Sequence, residues 1–186
     1  MVCAAHRALL LAHPDTPGEW VWGISAEVRL EPAATLVCHY SLCGEVDRLR
    51  VPAARTGHRA EGLWQHTCFE VFAAARSGDG YYEFNFSPSL EWAAYRFSGY
   101  REAMTPASLT RAPGLQVRRT PDLLELTAHL YLEGLPELAA SAALRLGLSA
   151  VVEDDGGRLS YWALCHPPGN PDFHDPDCFA LELNTS

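Results

Sequence analysis

Many short segments of alternating polarity, Gly- and Pro-rich breaks between them, and almost no helical periodicity predict an all-β protein. The expected architecture is a jelly-roll-like β-sandwich, two mainly antiparallel sheets packed face to face with little helix. Residues 63–97, LWQHTCFEVFAAARSGDGYYEFNFSPSLEWAAYRF, organise the chain, with two alternating strands across a turn and a third soon after. Alternation sends Thr67, Phe69, Val71 and Ala73 to one face, matched by Tyr82, Phe84 and Phe86. Trp64, His66, Glu70 and Phe72, with Tyr81, Glu83 and Asn85, take the other. The first face reads as core. The second, aromatic residues mixed with acceptors, reads as the candidate site.

The remaining elements follow in order. Residues 7–12, 20–30 and 34–42 predict three strands, with 47–51 as a short partner of the third. Residues 52–62 carry Pro, Gly, Arg and His without periodicity and read as loop. Gly78-Asp79-Gly80 supplies the tight reversal of the central hairpin. After Phe97 the pattern lapses until residues 115–119 and 123–132 alternate again. Residues 135–145 are a helical turn or a loop plus strand. Residues 146–153 and 159–166 form a hairpin across Asp154-Asp155-Gly156-Gly157. The proline-rich loop 166–177 then leads to a last strand, 178–183.

A chain of 186 residues, 48% hydrophobic and 20% charged, fits one domain over residues 1–186 with a sizeable core. A net charge of −9 disfavours nucleic acid and anionic membranes as partners. No apolar run approaches the roughly 20 residues of a membrane span. Six cysteines include no CxxC, and Cys38, Cys68 and Cys165 fall inside apolar strand patterns, as free thiols do. Ala8 to Ala12 is too short a run for a secretory leader, so a cytoplasmic location is expected. The oligomeric state is left open.

Glu70 and Glu83 could contact a polar ligand, help hold calcium, or act as a glycosidase pair if about 5 Å apart. A two-residue turn would set Glu70 opposite Ser87, about 13 Å from Glu83, whereas a longer loop would bring the carboxylates directly opposite. Trp64 is the stacking candidate, with Trp92, Tyr95 and Trp162 the other aromatic candidates and Tyr161 a secondary contact. His66, His166 and His174 are candidate bases or ligands to a metal or haem, although no HxH or HExxH occurs. The loop 166–177, stiffened by its prolines, is placed to hold Asp172, His174 or Asp175 over a site or simply to cover a sheet. GxGxxG, P-loop and GxSxG motifs are absent, so nucleotide and standard hydrolase chemistry find no support.

Glu70-Val71-Phe72 followed by Tyr81-Tyr82-Glu83-Phe84-Asn85-Phe86-Ser87-Pro88, together with LGLSAVVEDDGGRLSYWALCHPPGNPDFH, resembles the DOMON-like bacterial proteins. These are related to DOMON domains and to family-nine carbohydrate-binding modules. The resemblance covers most of the chain from about residue 60. It implies a jelly-roll-like sandwich that binds haem or sugar on one sheet, with calcium frequent among the sugar-binding relatives. Haem-binding DOMON domains use a methionine and a histidine, and this chain offers only Met1 and Met104. The expected function is therefore non-catalytic binding of a small molecule, a sugar or sugar derivative, through Trp64, His66, Glu70, Glu83 and Asn85. Haem or metal binding by histidines and a sugar-active enzyme using both glutamates are the alternatives.

Overall fold

The computed structural model describes residues 5–78 and 80–184. Its strands are β1 (His6–Ala12), β2 (Val21–Glu31), β3 (Thr35–Gly44), β4 (Cys68–Ala75), β5 (Tyr81–Phe86) and β6 (Trp92–Phe97). They continue as β7 (Thr105–Pro106), β8 (Gly114–Arg119), β9 (Leu123–Tyr131), β10 (Ala143–Glu153), β11 (Leu159–Ala163) and β12 (Leu181–Asn184). A single helical turn, α1 (Pro136–Ala139), precedes β10. The strands pair antiparallel in the order β7-β6-β5-β4-β10-β11-β1-β2-β3-β9-β8, with β12 beside β10. The all-β sandwich expected from the sequence is what forms.

One strand joins the two layers. Residues 6–10 of β1 pair with β2, while Leu11 and Ala12 pair with Ala163 and Trp162 of β11. The β1-β2-β3-β9-β8 layer thereby folds over the layer built on β6-β5-β4-β10-β11. Between them lie Leu36, Tyr40 and Leu42 of β3, Leu124 and Leu126 of β9, and Phe69, Val71, Phe84 and Phe86 of the hairpin. Each such side chain contributes roughly 1.5–3 kcal/mol on leaving water. Parity along β4 and β5 is as the alternation predicted.

One element differs from expectation, and another, open between a helical turn and a loop plus strand, resolves into both a turn and a strand. Residues 47–51 pair with no strand as a unit. Val46–Arg48 form a 3-10 turn, and Leu49 bridges Asp154 instead. The helix within 135–145 is confined to α1, because β10 starts at Ala143, where β12 pairs with it from the other side. At the central turn Gly78 takes a φ of +117°, which glycine tolerates. Asp79 of that turn, like Met1 and Cys3, lies outside the described residues.

Every residue of β5, and residues 68–73 of β4, is buried, although only one face of each strand meets the other layer. The outer face has its own apolar cluster, with Phe72, Tyr81, Tyr95, Phe97 and Val151 lying under Phe173 and Phe179 of the returning tail. The proline-rich loop is thus a cover over this sheet face. No helix among the described residues is long and apolar enough to cross a membrane.

Candidate functional site

Between the outer face and its cover lies a cavity of about 440 Å³. Strand register sets its floor. Glu70 lies directly opposite Asn85, and Phe72 opposite Glu83. The two glutamates are therefore diagonal neighbours, with Cα atoms about 7–8 Å apart. This register lies between the two the sequence allowed. Phe72, Tyr95, Val151 and Tyr161 complete the floor, each from a different strand. Trp64, on the 3-10 turn Leu63–Gln65, forms one wall at 39% exposure, its ring centroid 6.0 Å from that of Tyr95 in an edge-to-face arrangement. Arg101 and Met104 reach in from the loop after β6, and Phe173 and His174 from the tail.

Donors are scarce on this floor. Glu70 receives one long hydrogen bond, from Ser149 Oγ at 3.4 Å. Asn85 Nδ2 donates to Glu83 Oε1 at 2.6 Å, while Asn85 Oδ1, fully buried, has no partner among the described residues. Burial, and next the Glu83 charge, push the Glu70 carboxyl well above the usual carboxylate range. Burial also raises Glu83, although the Asn85 bond and the Arg101 charge oppose it.

His174 does not neutralise this acidity. Its Nε2 is 3.7 Å from Glu83 Oε2, yet burial and the Arg101 charge push the imidazole down to about 4. It is neutral at pH 7. Tyr81 Oη accepts from the Arg101 backbone N–H at 3.1 Å and lies 2.8 Å from His174 Nδ1. Its O–H is then free to donate to Nδ1, which sets the imidazole proton on Nε2, facing Glu83. The Arg101 guanidinium is held by Asp172 at 2.8 Å, and Asp172 also accepts from Tyr100 and from the His174 backbone N–H. Tyr95 donates to Glu61 at 2.5 Å, fixing its ring beside Trp64.

Trp64, Glu70, Glu83, Tyr161 and His174 thus share one cavity, and Asn85 supports it from the side of the sheet. The other sequence candidates lie elsewhere. His66 is at the sheet margin, 2.7 Å from Glu153, because its residue precedes β4 and turns away from the floor. Trp92 packs against the inter-layer core beneath the Arg59 guanidinium. Trp162 is 6% exposed in that same core, its Nε1 donating to Ser160. His166 follows the end of β11, bonds to the Leu11 carbonyl and stacks edgewise on His13.

The three candidate histidines accordingly do not converge, and among the described residues no group of three or more His, Cys, Asp or Glu side chains could hold a metal ion. Nor does the methionine-and-histidine pattern of haem fit. Met104 and His174 both line the cavity, but the imidazole has Tyr81 on one nitrogen and Glu83 on the other. Sequence reasoning missed Arg101 and Phe173 as site residues. Neither stands in an alternating segment, and only chain return brings them over the sheet.

No family model and no curated protein matches the chain. Among solved structures, a candidate carbohydrate-binding protein from Bacteroides uniformis superposes with a TM-score of 0.68 at 15% identity, over 98% of this chain and 86% of that one. The two share a fold. Family-nine carbohydrate-binding modules from Caldicellulosiruptor kristjanssonii, in complex with glucose and with cellotriose, each superpose with a TM-score of 0.47 at 12% identity. They match 87% and 89% of this chain and 76% and 75% of theirs.

Proposed function

We propose that the protein is a non-catalytic module that binds a sugar or sugar derivative in the cavity over β4, β5 and β6. One observation carries this reading. The Trp64 ring and two buried, donor-poor glutamates line the same accessible space. A pyranose offers an apolar ring face to stack on an indole and hydroxyls that donate to carboxyls, which matches both halves of the cavity. The fold shared with the candidate carbohydrate-binding protein agrees with this reading, and the cavity supplies its argument. Kinship with the DOMON-like proteins, on the Glu70-Val71-Phe72 and Tyr81–Pro88 motifs, belongs to the same proposal.

Catalysis is the weaker reading. Glycosidase pairs divide labour because their environments push the two pKa values apart. Here burial raises both carboxyls, from adjacent strands on one surface. We also propose a reducing, cytoplasmic setting, in keeping with the thiols of Cys38, Cys68 and Cys178 being buried and unpaired.

The test is calorimetric titration with a panel of neutral and charged mono- and oligosaccharides, on wild type and Trp64→Ala. Trp64 is part-exposed and outside both strands and core, so its truncation is expected to leave the melting temperature within about 3 °C. Affinity is expected to fall on the order of tenfold or more. An unfolded variant, or a wild type that binds no carbohydrate, overturns the proposal.

A further inference from the structure

The unbalanced charge of the cavity floor narrows the ligand class. Building on the sugar-binding reading above, we propose that the ligand is an amino sugar whose protonated nitrogen seats between Glu70 and Glu83. Three observations converge on it.

The first is the excess of acceptors. Glu70 holds one 3.4 Å bond, Glu83 is bonded by Asn85, and the buried Asn85 Oδ1 beside them has no donor among the described residues. An ammonium group supplies three N–H donors from one atom, more than any single hydroxyl. The second is charge. His174 faces Glu83 as a neutral imidazole, and Arg101, although its charge is felt at Glu83, is ion-paired with Asp172. Tyr81 and Tyr95, which border the pair, bring no positive charge, and on the core side of Glu70 stand Tyr40 and Cys68. An arriving cation therefore meets two carboxyls that burial, and at Glu70 the Glu83 charge as well, pushes toward the protonated form. The third is the wall. Trp64 at the wall, with Tyr95 and Phe72 of the floor and Phe97 in the same lining, surrounds the carboxyls with aromatic rings, whose faces attract a cation as well as a sugar ring.

Binding of this kind exchanges charge. Wherever a raised carboxyl still holds its proton, the ammonium displaces that proton to buffer, and the nitrogen keeps its own. Affinity is then expected to rise with pH as the carboxyls ionise, until the amine itself loses its proton.

The experiment is titration calorimetry of wild type, Glu70→Gln and Glu83→Gln with glucosamine, N-acetylglucosamine and glucose, in two buffers of different ionisation enthalpy. Circular dichroism is run in parallel to confirm folding. The wild type is expected to prefer glucosamine by about tenfold or more over both neutral sugars, and to release protons on binding it. In each glutamine variant that preference should collapse. Equal or tighter binding of glucose, absence of proton release, or a preference that survives in both folded variants overturns the amine assignment. If only neutral sugars bind, this inference fails and the sugar-binding reading stands. If no carbohydrate binds, both fail.

Discussion

Replacing Glu70 by glutamine should stabilise the fold, and increasingly so as pH rises. The side chain keeps its shape and its bond from Ser149, while the carboxyl that is raised by burial and by Glu83 disappears. A carboxyl whose folded pKa exceeds its unfolded value contributes its stability below the unfolded pKa, about 4.3, and loses it as pH climbs through the folded one. Within that window each pH unit costs about 1.4 kcal/mol per carboxyl. His174 works in the opposite direction. Its folded pKa of about 4 lies below its unfolded value of 6.5, so its contribution grows as pH rises between the two. The wild-type profile is thus a sum of opposing slopes, and the variant-minus-wild-type difference isolates the glutamate. Urea melts from pH 4.5 to 8 should show a difference near zero at the acidic end that widens with pH. Each increment of about 1.4 kcal/mol in that difference raises Tm by about 3–6 °C in a chain of this size. A difference that is flat, or that narrows with pH, would mean the folded protein compensates an ionised Glu70. The donor-poor floor would then be refuted.

Trp162→Ala should cost about 3–5 kcal/mol by chemical denaturation, since this indole fills the inter-layer core, in contrast to the near-neutral Trp64→Ala. Gly44→Ala should destabilise severely, because a Cβ there would sit 2.2 Å from the Trp20 carbonyl oxygen; soluble yield and Tm report it. Arg101→Ala removes an exposed ion pair worth at most about 1 kcal/mol. It should nevertheless speed amide hydrogen exchange around residues 172–175, where Asp172 loses its Arg101 partner, while exchange in β4 and β5 stays slow.

Sandwich architecture and the parity of the central hairpin were legible because both follow from period-two alternation, which Phe69/Val71 and Phe84/Phe86 carry strongly. Parity alone put Glu70, Glu83 and Asn85 on one face beside Trp64, and that face is where the cavity forms. Register was not legible. It depends on the geometry of the 76–80 loop, which composition does not determine. The misplaced candidates have two causes. His66 and His166 lie just beyond strand ends, where alternation lapses, and Trp162 belongs to a strand whose inward face could not be told from its outward one without its neighbours. Arg101 and Phe173 were invisible for the complementary reason, since loops acquire a position only through what they pack against.

The cover is attached in an informative way. β11 leaves the sheet with Ala163 beside Ser149 of β10, and β12 returns with Leu181 beside Leu146 of that same strand. Residues 164–180 therefore depart and come back within about 10 Å along one strand. Such a segment behaves as a visor on a fixed brim. Its length and composition can change without asking any strand to shift, so the lining of the cavity beneath it is free to diverge while the sandwich stays the same.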